Sequence, residues 1–296
     1  MSDHEHSENS TQDTIGNPSL IEVEQLSYSI AKSALLKGLD CKFESAQIHI
    51  ILGQNGAGKS TLLNCLSHEI EPTMGSIIWD GKNLDSLSYA ELALQRAVLS
   101  QSNELAFSFS VQALIELGIE VQPRTGEQAQ HVIETLLQVC DIAHLRDRDY
   151  LTLSGGEQKR TQLARVLAQI WPDNYLLNQK DSSDYQNGLQ PFSGKWLFLD
   201  EWTAGLDIKH QQSLARYFKQ WAKQGLGLIM VLHDISFAAQ LADRCLILKD
   251  GQIFADGDVS QVLSQTILEK AMQMSVRVTC DAETNRPIIT PFLESF

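Results

Sequence analysis

Two kinds of apolar pattern alternate along this chain. Nearly continuous runs at 48–52, 196–199, 228–232 and 245–248 have the length and composition of strands buried on both faces. Between them apolar residues recur at helical spacing: Leu62, Leu63, Cys65 and Leu66, then Leu163, Val166, Leu167, Ile170 and Trp171, then Leu214, Tyr217, Phe218 and Trp221. Strands and helices in alternation predict an α/β scaffold with a mostly parallel sheet. Ile21, Val23 and Leu26, the segment 76–81 with Trp79, and 97–100 ending on Gln101 predict shorter strands, and 88–95 a short helix. Between 111 and 149 the pattern is helical throughout (Val111, Leu114, Ile115, Gly118; Val132, Ile133, Leu136, Leu137, Cys140), so helices are inserted into the scaffold. Two short helices at 259–274 and a hairpin at 276–279 and 288–289 end the chain.

Two stretches carry no such pattern. Residues 1–18 are polar and expected to be disordered, with His4 and His6 in no fixed geometry. Residues 172–195 are expected to be a disordered insert, the alternative being an interaction element, with Tyr175, Leu176, Leu177 and Tyr185 as exceptions to its polarity.

The richest chemistry sits where the run at 48–52 meets the next helix. Gly53, Gln54, Asn55, Gly56, Ala57, Gly58, Lys59, Ser60 and Thr61 form a P-loop in its strand-to-helix setting. Glycines let backbone N–H groups turn inward on a polyphosphate, and the helix adds the positive end of its dipole. Lys59 then neutralises the β and γ phosphates, and the Ser60 hydroxyl is a ligand for Mg²⁺. Other strand ends supply partners. Asp200 and Glu201 follow the buried run at 196–199, the carboxyl end at which ligands bind in such sheets. Asp200 suits Mg²⁺, and Glu201 suits polarisation of an attacking water. His233 ends the run at 228–232 on the same edge. Ser154 and Glu157 have capping-box spacing, and Gly155 and Gly156 between them suggest an anion seat at a helix start. Tyr28 is either a platform for a purine base or a packing residue on a strand face.

Charge and cysteine content narrow the partners. Lys and Arg number 23 against 37 Asp and Glu, a net charge of −14, so phosphate backbones are repelled and nucleic acid is not expected as a partner. The five cysteines are scattered without a C-x-x-C pair and are expected to be free thiols in a reducing compartment. With no long apolar span, the chain is expected to be soluble and intracellular, reaching a membrane only by docking.

Taken together, the P-loop, Gln101, Leu153-Ser154-Gly155-Gly156-Glu157, the strand ending in Asp200-Glu201, Asp207 and His233 resemble the ATP-binding subunit of ABC transporters. The resemblance implies a P-loop NTPase cassette over 19–296, with an antiparallel β subdomain, a helical subdomain at about 103–170, a polar insert at about 172–195 and a C-terminal extension at about 258–296. It implies ATP and Mg²⁺ as cofactors, Tyr28 stacking on adenine, Gln101 touching metal or water, Asp200 holding Mg²⁺, Glu201 as catalytic base and His233 at the γ-phosphate. It implies that Ser154, Gly155 and Gly156 close the site of a second copy. The unit would then be a homodimer on a transmembrane permease dimer, peripheral to the cytoplasmic face of the inner membrane and served indirectly by a periplasmic binding protein. Leu105, Phe107 and Phe109 are expected near the permease or, equally, in the core.

A finer likeness is to importers of iron chelates, haem or cobalamin, and within them to the haem importer ATPase, from 99–118, 169–172, the insert and the C-terminal stretch. An iron-siderophore or cobalamin importer ATPase, or a soluble ABC ATPase of iron–sulfur assembly, are the alternatives. One position departs from the family: Trp202 stands where proline is usual, which is expected to loosen the catalytic turn and to put a bulky side chain near the dimer face.

Overall fold

A computed structural model describes residues 18–31, 33–101, 107–173, 175 and 190–292. The expectations for residues 1–17, and for Leu105, Leu176, Leu177 and Tyr185, fall outside these residues. Its centre is a six-stranded sheet in the order β10-β9-β3-β8-β7-β6, made of β3 (Ile48–Gly53), β6 (Arg96–Leu99), β7 (Trp196–Asp200), β8 (Gly227–Val231), β9 (Arg244–Lys249) and β10 (Gln252–Asp258). All neighbours pair in parallel except β9 and β10. Beside it lies an antiparallel sheet of β2 (Ser33–Glu44), β1 (Leu20–Ile30), β4 (Met74–Trp79) and β5 (Lys82–Asn83), in that order.

Period-2 alternation divides the central strands between two cores. Ile48, Ile50 and Leu52 of β3, with Leu197, Leu199, Leu228 and Met230, face one core; Ile51, Trp196, Phe198, Ile229 and Val231 face the other, toward the antiparallel sheet. Helix α1 (Lys59–Leu66) buries Leu62, Leu63, Cys65 and Leu66 in that second core. The strands are therefore apolar on both faces, the pattern seen in the sequence, with buried His49 the exception within β3.

Helix α2 (Tyr89–Gln95) starts at a capping box of Ser88 and Glu91. The inserted helices are α3 (Val111–Ile119), α4 (Gly126–Val139) and α5 (Gly155–Ile170). Their apolar stripes join α6 (Ile208–Lys223) and α7 (Ile235–Leu241) in the first core. After β10 come α8 (Val259–Val262), α9 (Gln265–Met272) and the hairpin of β11 (Val276–Cys280) and β12 (Pro287–Pro291). No helix among the described residues is long and apolar enough to cross a membrane.

The described part of the polar insert departs from the disordered reading. Tyr175 and Phe192 are buried against Trp171 and Trp221, and the Tyr175 hydroxyl accepts a bond from Trp221 Nε1 at 3.1 Å. Arg124 ties the same region down, donating to Asp173 at 2.6 Å and to the carbonyls of Ala168 and Trp171. Of the cysteines, Cys41, Cys65, Cys140 and Cys245 are buried and free, and Cys280 is exposed. Phe107 is 73% exposed, whereas Phe109 packs partly buried against the first core.

Candidate active site

The turn between β3 and α1 is built on glycine. Gly58 caps α1 with φ of 101°, and a Cβ there would lie 2.7 Å from Leu36 Cδ2 and 2.9 Å from the Leu35 carbonyl oxygen. Only glycine fits, and the turn leaves the first N–H groups of α1 open at their positive end. Lys59 curls back beneath this turn, its Nζ donating to the carbonyls of Gly53 and Gln54 at 3.0 Å each. Burial lowers its pKa, opposed by the charges of Glu201 and Asp200. Above lies a cavity of about 490 Å³ lined by Leu35, Asn55, Gly56, Gly58, Lys59, Ser60, Thr61, Gln101, Glu201 and His233.

Three parallel strands deliver the remaining side chains to this cavity, Gln101 after β6, Glu201 after β7 and His233 after β8. Glu201 occupies a left-handed backbone conformation with φ of 48°, and its N–H donates to the Val231 carbonyl at 3.2 Å. Its two carboxylate oxygens are divided between neighbours. Gln101 Nε2 donates to Oε2 at 3.0 Å, and His233 Nε2 meets Oε1 in a short contact. Asp200 lies behind, 4% exposed, and burial raises its pKa despite a hydrogen bond from Ser60 and the charges of Lys159 and Lys59. Its Oδ1 is buried with no hydrogen-bond partner among the described residues. An orphaned carboxylate oxygen beside a serine hydroxyl is a hard donor set that fits Mg²⁺, which takes few protein ligands and completes its shell with phosphate and water.

The other candidates sit elsewhere. Gly53, Gln54 and Ala57 form the floor of the turn, with the Ala57 N–H on the Gln54 carbonyl at 3.2 Å. Tyr28 is on β1 opposite Leu36, half-buried against the second core, and does not line the cavity. Ser154 caps α5 in a full capping box with Glu157. Gly155 has open space over its Cα, while a Cβ on Gly156 would meet the Gly205 carbonyl at 2.8 Å. None of these three lines the cavity of its own chain.

The pattern of the sequence gives no sign of Leu35, which walls the cavity from β2, or of half-buried Lys159, whose charge acts on Asp200 and Glu201. Trp202 corrects an expectation outright. Its side chain is fully buried, packed edge-on against Phe218 at 5.0 Å and against Phe237 at 5.9 Å, so it points into the core of its own chain and not toward a dimer face. A second cavity of about 490 Å³, lined by Glu22, Glu24, Asp40, Glu44 and Asp256 among others, has the wrong charge for phosphate and no P-loop.

Comparison with known proteins agrees with this geometry. The profile of the ABC transporter family matches residues 36–172. A hemin import ATP-binding protein of Escherichia coli O157:H7 is 37% identical over 271 residues, covering 91% of this chain and 98% of that protein. Another of the same description, from Hydrogenovibrio crunogenus, is 39% identical over 245 residues, or 82% of this chain and 89% of the relative. Among solved structures, a dimeric bacterial ABC transporter cassette superposes with a TM-score of 0.66 at 22% identity, over 80% of this chain and 98% of that one. By fold, and by sequence along nearly its whole length, the chain is an ATPase of the ABC transporter family.

Proposed function

We propose that this chain hydrolyses ATP to drive hemin import, as a homodimer seated on the cytoplasmic side of a membrane permease dimer that a periplasmic hemin-binding protein serves. The observation that carries the substrate is the near full-length similarity to hemin import ATP-binding proteins. The geometry supports the chemistry. N–H groups of the turn and of α1 hold the phosphates, Lys59 swings from its two carbonyls to neutralise them, and Tyr28 offers a ring to the base. Ser60, Asp200 and the amide oxygen of Gln101 would hold Mg²⁺, which spreads charge off the phosphates when bound.

Glu201 is the base that takes a proton from the attacking water. Gln101 and His233 each take one acceptor site on its two oxygens and aim the carboxylate, and the remaining lone pairs are left to receive the proton. Closing the site is a task for the second copy, whose Ser154, Gly155 and Gly156 bring a helix N-terminus to the γ-phosphate while His233 turns toward it. Phe107, exposed near the Gln101 loop, supplies an apolar contact for the permease.

The test is ATP hydrolysis by the chain assembled with its permease in vesicles. Stimulation by the hemin-loaded binding protein, with none by a ferric siderophore or cobalamin, is the expected result. Stimulation by either of the latter moves the chain to that importer class. Failure to associate with any permease, with full hydrolysis in solution, would favour the iron–sulfur reading.

A further inference from the structure

Glu201 must hold an unfavourable backbone conformation and aim its carboxylate at once. A non-glycine residue at φ of 48° costs about 1 kcal/mol or more unless its surroundings impose it. The next residue is the one best placed to impose it. Trp202 is 0% exposed, and its ring is keyed between Phe218 of α6 and Phe237 of α7. Helix α7 starts directly after His233 and Asp234, so the ring joins the element carrying Glu201 to the element that follows His233. Phe218 is itself braced, against Trp221 at 5.8 Å, and Trp221 against Trp171 at 5.2 Å. The turn is closed from its other side by Gln211, whose Nε2 donates to the carbonyls of Thr203 at 3.1 Å and Leu206 at 2.9 Å.

We infer that Trp202 is a positioning residue for hydrolysis, its ring locking the Glu201 turn to the start of α7 so that Glu201 and His233 meet in register. The ring does this and the indole N–H does not, because Nε1 has no hydrogen-bond partner among the described residues. Phenylalanine, which keeps an aromatic edge for Phe218 and gives up only that unpartnered N–H, therefore preserves the lock. An aliphatic side chain fills part of the volume and loses the ring geometry. Trp202 is fully buried and does not line the P-loop cavity, so its loss acts on turnover and spares nucleotide binding, which belongs to the P-loop.

The inference rests on Glu201 being the base, and Glu201→Gln measured alongside separates the two. Steady-state ATP hydrolysis by the full chain, with ATP affinity from equilibrium titration, is compared for Trp202→Phe, Trp202→Leu and Phe237→Leu. Expected are a kcat within about threefold of the unaltered chain for Trp202→Phe and a fall of about 10- to 100-fold for Trp202→Leu, the scale of an ångström-level misplacement of a reacting group. KM and ATP affinity stay within about twofold. Phe237→Leu, which removes one wall of the lock and leaves the turn filled, shows the same kcat-only loss and carries the test if Trp202→Leu fails to fold. Unchanged kcat in Trp202→Leu or Phe237→Leu, equal losses in Trp202→Phe and Trp202→Leu, or parallel losses in kcat and ATP affinity would each overturn it. If Glu201→Gln hydrolyses normally, the base assignment falls instead.

Discussion

Lys59 and His49 are both buried cations by type, and their surroundings treat them in opposite ways. Lys59 keeps two carbonyls and two carboxylate charges about it, so its ammonium is held ready for an anion. Lys59→Ala removes the charge from the proposed phosphate seat and should weaken ATP binding by on the order of 3 kcal/mol, about a hundredfold or more. Nucleotide titration of the folded variant measures this, and near-normal affinity would refute the phosphate role. His49 has one carbonyl to offset its burial and the charge of Arg244 against it. It is buried, its Nε2 donates to the Glu44 carbonyl at 2.8 Å, and burial drops its pKa from 6.5 to about 4. The unfolded chain therefore takes up a proton below about pH 6.5 that the folded chain refuses until about pH 4, so stability falls with pH across that window. The loss should approach about 3 kcal/mol from this one group. Urea denaturation at pH 7 and at pH 4.5, in the unaltered chain and in His49→Gln, should show a steeper decline in the former.

Among elements, the junction of α4, α5 and the insert shows how much rests on a single side chain. Arg124 is 1% exposed and serves Asp173 and two carbonyls near the end of α5. Arg124→Ala should cost about 3 kcal/mol, because it leaves a carboxylate and buried carbonyls without their donor. Thermal or urea unfolding reads this out, and ATP affinity should not change. The same region shows the limit of sequence reading. Strands β3, β7 and β8 were legible as apolar runs because both faces are buried, and α5 from its capping box and stripe. Tyr175 and Phe192 were not, since their partners Trp171 and Trp221 arrive from α5 and α6 and leave no period in a polar stretch. Trp202 departs from its expected place for a related reason. A lone aromatic after Asp200 and Glu201 has no neighbours that reveal which way it turns, and its partners lie on α6 and α7.

At the scale of the whole molecule, the site is assembled by topology. Gln101, Glu201 and His233 are far apart in sequence, yet β6, β7 and β8 are adjacent and parallel, so their carboxyl ends meet beside the P-loop of β3. The motif residues were legible one by one, whereas the order of strands was not, since pairing in a parallel sheet is a long-range choice. Ser154, Gly155 and Gly156 cap the start of α5 away from that cavity, so in the proposed mechanism a second copy completes it. The most direct measurement of that requirement is the mass in solution of Glu201→Gln, which in the proposed mechanism binds ATP but lacks the base that discharges it. With saturating ATP and Mg²⁺, light scattering should give twice the mass of one chain, and Lys59→Ala under the same conditions the mass of one. A Glu201→Gln protein that stays monomeric with ATP bound would contradict the account.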